Sequence, residues 1–203
     1  MIDTLIFDFG DVFINLDKKG AHQSALQILR TYDIPNIVTK MNQQYETGLI
    51  NDEIFLQFYK SHFPWLNNNL IIESWNSMIK DFPKYRLDFL KQLKNEGHFK
   101  LILLSNTNHI HINYVKATVP FYDEFKACFD WFFLSHEINL RKPNANIYEF
   151  VLKTTNTNPE KALFIDDTEE NTIAAEMLGV NTWNINPETD DIIELFTKQA
   201  HLF

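Results

Sequence analysis

Five short runs of hydrophobic residues punctuate the chain: Thr4–Phe7, Leu101–Leu104, Trp131–Leu134, Ala162–Ile165 and Val180–Trp183. Polar or turn-forming residues bound each run, and none alternates as a strand with one wet face would. The pattern predicts strands of a parallel sheet covered on both faces. Between the runs, apolar positions recur at helical spacing. Tyr85, Phe89, Leu90 and Leu93 mark one helix face, with Gly97 placed to stop it. Ile147, Phe150 and Val151 mark a second face after Pro143. Ile173, Ala174, Met177 and Leu178 mark a third, ended by Gly179. Strand and helix in alternation predict an α/β fold, a doubly wound parallel sheet.

The rhythm breaks between Asp17 and Ile79. No run there reads as a strand. The apolar residues keep helical spacing: Ile54, Phe55, Phe58 and Tyr59, then Leu70, Ile71, Trp75, Met78 and Ile79. Gly48 is placed to close one helix, and Asn51 or Asp52 to cap the next. A small helical domain over residues 17–79 is therefore expected, inserted into an α/β core of residues 1–16 and 80–203. Trp65, Trp75, Phe58 and Tyr59 should fill its interior, with one or two turned toward a ligand.

Composition narrows the function classes. A length of 203 residues suits one core domain with an insertion. A net charge of −9 argues against a nucleic-acid or anionic-membrane partner. Cys128 is the single cysteine, which excludes an internal disulfide and a cysteine-based metal cluster. Its apolar neighbours predict a buried, inert thiol. The N-terminus lacks the basic and apolar regions of a signal peptide. No apolar run approaches the ~20 residues of a membrane span. A soluble cytoplasmic protein is expected, and nothing in the sequence specifies an oligomeric state.

Chemistry enters through the polar residues after the strands. Asp8 follows the first, Ser105-Asn106-Thr107-Asn108 the second, Arg141-Lys142-Pro143 stands beyond the third, and Asp166-Asp167 ends the fourth. A parallel sheet brings these strand ends to one edge. Clustered carboxylates repel unless a cation sits among them. Magnesium suits such oxygen donors, and a lysine with a hydroxyl suits a phosphate. A serine in a turn or a lysine before a helix is often only structural, so the weight lies in the set. His109 and His111, two apart, would not face one another on a helix and do not make a zinc site.

In this order and these strand contexts the motifs resemble the haloacid dehalogenase superfamily, in its phosphatase branch. Phe7-Asp8-Phe9-Gly10-Asp11-Val12, Leu103-Leu104-Ser105-Asn106-Thr107-Asn108, Arg141-Lys142-Pro143 and Phe164-Ile165-Asp166-Asp167 resemble its four motifs. The helical insertion sits where the family's C1-type cap sits. Glu46–Phe55 and Asp166–Asn171 are further similar to the bacterial alpha-glucose-1-phosphate phosphatases of that branch. The resemblance implies an aspartyl-phosphate on Asp8. It implies Mg2+ held by Asp8, the Gly10 carbonyl, Asp167 and Asp166. Ser105 and Asn106 would hold phosphate oxygens, Lys142 would pair with Asp8 and the transferring group, and Asn171 would orient the metal ligands. The expected partner is a small phosphate ester.

One position departs from the pattern. Most phosphatases of the superfamily carry a proton-donating Asp two residues after the nucleophile, where this chain has Gly10. Such help is worth roughly 10²–10⁴-fold. The leaving group must then be intrinsically good, as in a sugar 1-phosphate or acyl phosphate; or Asp11 or Glu46 substitutes; or the protein is slow, or a non-catalytic binding or regulatory module. A dehalogenase also lacks the second Asp, but it has no use for Asp166-Asp167.

Overall fold

The computed structural model describes all 203 residues. Strands β1 (Thr4–Phe7), β2 (Lys100–Ser105), β3 (Trp131–Leu134), β4 (Ala162–Asp166) and β5 (Asn181–Asn184) form one sheet in the order β3-β2-β1-β4-β5. Every pairing is parallel. Phe7 lies opposite Leu103 and Ile165, so Asp8 leaves the central strand beside the ends of both neighbours. The side-chain period of two splits the strands between two cores. Leu5, Phe7, Leu101, Leu103, Leu163 and Ile165 face one side, and Ile6, Ile102, Leu104 and Phe164 the other. The first side is phenylalanine-rich: Phe7, Phe9, Phe13, Phe82, Phe125 and Phe129 interlock with ring centroids 5.0–6.3 Å apart.

The insertion is built from α1 (Lys18–Leu29), α2 (Asn36–Glu46), α3 (Asp52–His62) and α4 (Asn68–Asn76). Three of its four helix starts are capped by side chains: Asp17 accepts from Gly20 N–H, Asn51 from Ile54 N–H and Asn67 from Leu70 N–H, while α2 follows Pro35. Leu29, Val38, Tyr45, Phe55, Tyr59 and Ile71 belong to a separate apolar cluster of this unit. Its two connections run side by side. Leu16 bridges Ile79 antiparallel, Asn15 N–H donates to Asp81 O at 2.9 Å and Asp17 N–H to Met78 O at 2.7 Å. Buried Arg86 braces the crossing by donating to Phe13 O (3.3 Å), to Asn15 Oδ1 (2.8 Å) and to Asp191.

The remaining helices are α5 (Lys84–Glu96), α6 (His109–Thr118), α7 (Tyr122–Ala127), α8 (Ser135–Ile138), α9 (Ala145–Thr154), α10 (Glu169–Glu176) and α11 (Leu195–Lys198). No helix is long and apolar enough to cross a membrane.

Two expected helix faces are corrected in part, with Leu90 and Leu93 buried and Ala174 and Leu178 packed on the core as expected, and one tryptophan lies elsewhere. On α10 the buried residues are Asn171, Thr172 and Ala175, whereas Ile173 and Met177 (82% exposed) face water. Asn171 must turn inward to bond Asp166, and that rotates the helix. On α5, Tyr85 is 48% exposed because its hydroxyl donates to Asp191; Arg86 and Leu87 are buried instead. Trp65 is 43% exposed, lying under the Arg30 guanidinium rather than in the helical core. The last strand also begins one residue later than its apolar run.

Candidate active site

Asp8 stands one residue beyond β1, its N–H donating to Ile165 O at 2.9 Å. Lys142 is almost completely buried. Its Nζ donates to Asp8 Oδ1 at 2.8 Å and to Asp166 Oδ2 at 2.6 Å. Asn106 fixes where this lysine starts: its Oδ1 accepts from Lys142 N–H (3.0 Å) and its Nδ2 donates to Lys142 O (2.9 Å). The Asn106 side chain is therefore spent tying the second strand's loop to the lysine loop. The Ser105 hydroxyl and the N–H groups of Phe9, Gly10 and Asn106 make no hydrogen bond within the chain. They are the donors left for an anion.

The two adjacent acids divide the work. Asp166 is fully buried and accepts from Lys142, from Asn171 Nδ2 at 3.0 and 3.1 Å, and from Thr168 N–H at 2.8 Å. Asp167 instead meets Lys18, the first residue of α1, whose Nζ also lies 3.0 Å from Asp11 Oδ2. Asp11 Oδ1 accepts from Leu16 N–H at 2.8 Å, and its φ of 55° is one that Asp tolerates better than most residues. Asp11 thus shapes its own loop. Glu46 pairs with Arg141 at 2.9 Å, and its backbone carbonyl accepts from Ser135 Oγ at 2.5 Å.

Carboxylate oxygens of Asp8, Asp166 and Asp167 lie within 4.8 Å of one another. Burial, reinforced by Asp166 and Asp167, pushes Asp8 up to about 7 although Lys142 pulls the other way. Burial likewise raises Asp167. Burial opposes the charge on Lys142, but Asp166 and Asp8 hold it above its ordinary value. Two ammoniums, Lys142 and Lys18, face four carboxylates, Asp8, Asp11, Asp166 and Asp167, and do not neutralise them. The donor set is all oxygen, with no His or Cys, which fits magnesium rather than a softer metal. Both oxygens of Asp166 accept hydrogen bonds from the protein, whereas Asp8 Oδ2 and Asp167 Oδ1 accept none and are open to an ion.

A second network ties the insertion to this edge. Trp75 Nε1 donates to Asn108 Oδ1 (3.1 Å), His111 Nε2 to Trp75 O (2.9 Å) and Asn108 Nδ2 to His111 Nδ1 (3.1 Å). That set of partners assigns the Nε2–H tautomer. The Trp75 and His111 rings stack at 5.2 Å. Burial pushes His111 down to about 4. The unfolded chain takes up this proton below about pH 6.5 and the native state only near 4, so stability is lost as pH falls through that window. Between about pH 7 and pH 5 the loss from this residue is expected to be roughly 2 kcal/mol. Urea unfolding at both pH values should show it, and His111→Gln should flatten that part of the profile. His109, by contrast, is exposed and pairs with Asp52, so the two histidines face apart.

Sequence reading selected Asp8, Gly10, Ser105, Asn106, Lys142, Asp166, Asp167 and Asn171, and the fold brings all eight to one sheet edge. It missed Lys18, the Arg141–Glu46 pair and the Trp75–Asn108–His111 network. Lys18 had a faint signal as the residue after a helix-capping Asp17; the others had none.

A mostly buried acid, a buried lysine and paired acids at the carboxyl edge of a five-stranded parallel sheet define a hydrolase of the phosphotransfer kind. Residues 2–179 match the haloacid dehalogenase-like hydrolase family, and the chain belongs to it. It is 26% identical over 195 residues to the D-ribitol-5-phosphate phosphatase of Bacteroides thetaiotaomicron, covering 90% of this chain and 91% of the relative. A crystal structure of a haloacid dehalogenase family enzyme from the same organism, in a magnesium complex, superposes with a TM-score of 0.82. The two are 32% identical, over 96% of this chain and 98% of that one. The same enzyme with magnesium and inorganic phosphate gives 0.80 at 30% identity, over the whole of both chains.

Proposed function

We propose that the chain is a magnesium-dependent phosphatase that hydrolyses a small phosphorylated metabolite through an aspartyl-phosphate on Asp8. Residues 1–16 and 80–203 form its catalytic core and 17–79 its C1-type cap. The observation that carries the reading is the Asp8–Lys142–Asp166 chain, with Asp167 beside it and unbonded donors around it. One Asp8 oxygen is held by Lys142, leaving the other to attack phosphorus. The bond to the leaving oxygen breaks, and that oxygen keeps the electron pair. Water then attacks the phosphorus of the aspartyl-phosphate, freeing phosphate and restoring Asp8. Ser105 and the N–H groups of Phe9, Gly10 and Asn106 hold the phosphoryl oxygens, and Lys142 offsets their charge. Asp8, Asp167 and the Gly10 carbonyl would hold magnesium, which supplies charge neutralisation between nucleophile and phosphate. Asp166, first read as a ligand, serves here to hold Lys142, with Asn171 behind it.

Gly10 sets the leaving group. Asp11 is occupied by Leu16 and Lys18, and Glu46 by Arg141, so neither is a free proton donor. A leaving oxygen that departs unprotonated, as from a sugar 1-phosphate or acyl phosphate, fits this edge. The polyol phosphate of the Bacteroides relative is a primary alkyl ester and needs more help. Gly10→Asp tests this. Its Cβ would meet Leu16 Cδ1 at 2.6 Å, the movable end of a side chain. The substitution is expected to raise kcat on a primary alkyl phosphate by about tenfold or more, with little gain on an acyl phosphate. Equal gains on both would refute the leaving-group argument.

A further inference from the structure

The cap is not packed solid. Between α1, α2 and α4 lies a cavity of about 280 Å³, with 14 lining residues of which 10 are hydrophobic. Leu29, Val38, Ile71, Trp75 and Met78 form much of its wall, and Ala25 on α1 leaves the space that a larger residue would fill. It opens to solvent past Lys18 and His22, both exposed, so a ligand can enter it.

Two residues join this cavity to the catalytic edge. The Lys18 side chain lines it, and the Lys18 ammonium sits on Asp167 and Asp11. Met78 lines both the cavity and the cleft of about 60 Å³ that includes Gly10, Ser105 and Asn106. Met78 and Lys18 are thus the residues that stand between the catalytic edge and the apolar chamber. Apart from Lys18, the wall offers an incoming group only two polar side chains with nitrogens outside any hydrogen bond, His22 and the Asn42 amide. Tyr59 hydroxyl donates to Asn42 Oδ1 at 2.7 Å, and Ser74 Oγ pairs with Ser24 Oγ at 2.9 Å. A polyol entering here would have more hydroxyls than these side chains can serve, and the rest would lose water without replacement.

We infer that the cap cavity receives an apolar leaving group, so that the substrate is the phosphate monoester of a hydrophobic hydroxyl compound. The inference rests on the phosphatase reading and deepens it. An engineered apolar cavity of about 150 Å³ accepts benzene, so the space here suits a ring or a short branched chain. An aryl ester meets the Gly10 condition as well: the phenolate leaves with the electron pair of the P–O bond and takes its proton from water.

The test compares 1-naphthyl phosphate, cyclohexylmethyl phosphate, glucose 1-phosphate and acetyl phosphate with magnesium present. Acetyl phosphate needs neither the cavity nor a proton donor. If it is not hydrolysed, the phosphatase reading itself fails. Given its hydrolysis, 1-naphthyl phosphate should exceed glucose 1-phosphate by about tenfold or more in kcat/KM. Cyclohexylmethyl phosphate should bind competitively with slow turnover, which assigns the aryl preference to Gly10. Ala25→Leu and, separately, Ala21→Leu should each lower the 1-naphthyl to acetyl ratio of kcat/KM by about tenfold, mainly through KM. Near-ultraviolet circular dichroism of each variant reports its folding. Glucose 1-phosphate outrunning both apolar esters, or a ratio unmoved in two folded variants, overturns the inference.

Discussion

Asp8→Asn is expected to lower kcat by roughly 10⁴–10⁶-fold, the scale seen when a covalent nucleophile is removed. The amide is nearly isosteric and cannot form a mixed anhydride with phosphate, so the loss reads the chemical step. Stability should not follow activity down. In the native protein the Asp8 carboxyl is driven up to about 7, chiefly by its burial. Replacing it with a neutral amide removes a buried charge beside Asp166 and Asp167. Thermal unfolding without metal should therefore occur at the same temperature or higher, while the stabilisation by added magnesium shrinks because one of its carboxylates is gone. A stopped assay for inorganic phosphate and a thermal melt with and without magnesium check both halves. Retained turnover would remove Asp8 from the mechanism.

Lys142→Met should damage both fold and function. Lys142 is the shared cation of Asp8 and Asp166 and has almost no contact with water. Methionine keeps the stem and removes the charge. Breaking a buried ion pair from one side costs about 3–5 kcal/mol, because the surviving charge is left without its partner. Asp166 keeps its bonds from Asn171 and Thr168, which places the expected loss toward the lower end. The rate should fall by roughly 10²–10³-fold, as for removal of one donor to a developing negative charge. Lys142→Arg should not restore it, since a buried site filled by an ammonium has no room for a planar guanidinium. Urea unfolding and kcat measured on the same preparation separate the two effects.

The parts legible in the sequence share a physical cause. Strands buried on both faces must be continuously apolar, so Thr4–Phe7 and Leu101–Leu104 announced themselves. The polar residue after each of these runs, Asp8 and Ser105, could be placed because a parallel sheet delivers strand ends to one edge. What stayed hidden was decided by partners remote along the chain. Lys18 meets Asp167 across 149 positions, and Asn106 meets Lys142 across 36. Neither pairing leaves a local period. Helix α10 reads as amphipathic around Ile173 and Met177, yet the demand of Asp166 for the Asn171 amide outweighs their burial. Asp166 and Asp167 read alike in the sequence, as two adjacent acids after one strand. They differ only in their hydrogen bonds, with Lys142, Asn171 and Thr168 gathered around Asp166 alone.

The central claim is covalent: phosphate passes through Asp8. Acid-quenched enzyme, sampled during turnover of acetyl phosphate and digested for mass spectrometry, tests it most directly. With magnesium present, the peptide that carries Asp8 should gain the mass of one phosphoryl group. The gain should vanish with a chelator and in Asp8→Asn. Full turnover with no phosphoryl mass on that peptide, or with the label on another residue, would contradict the account.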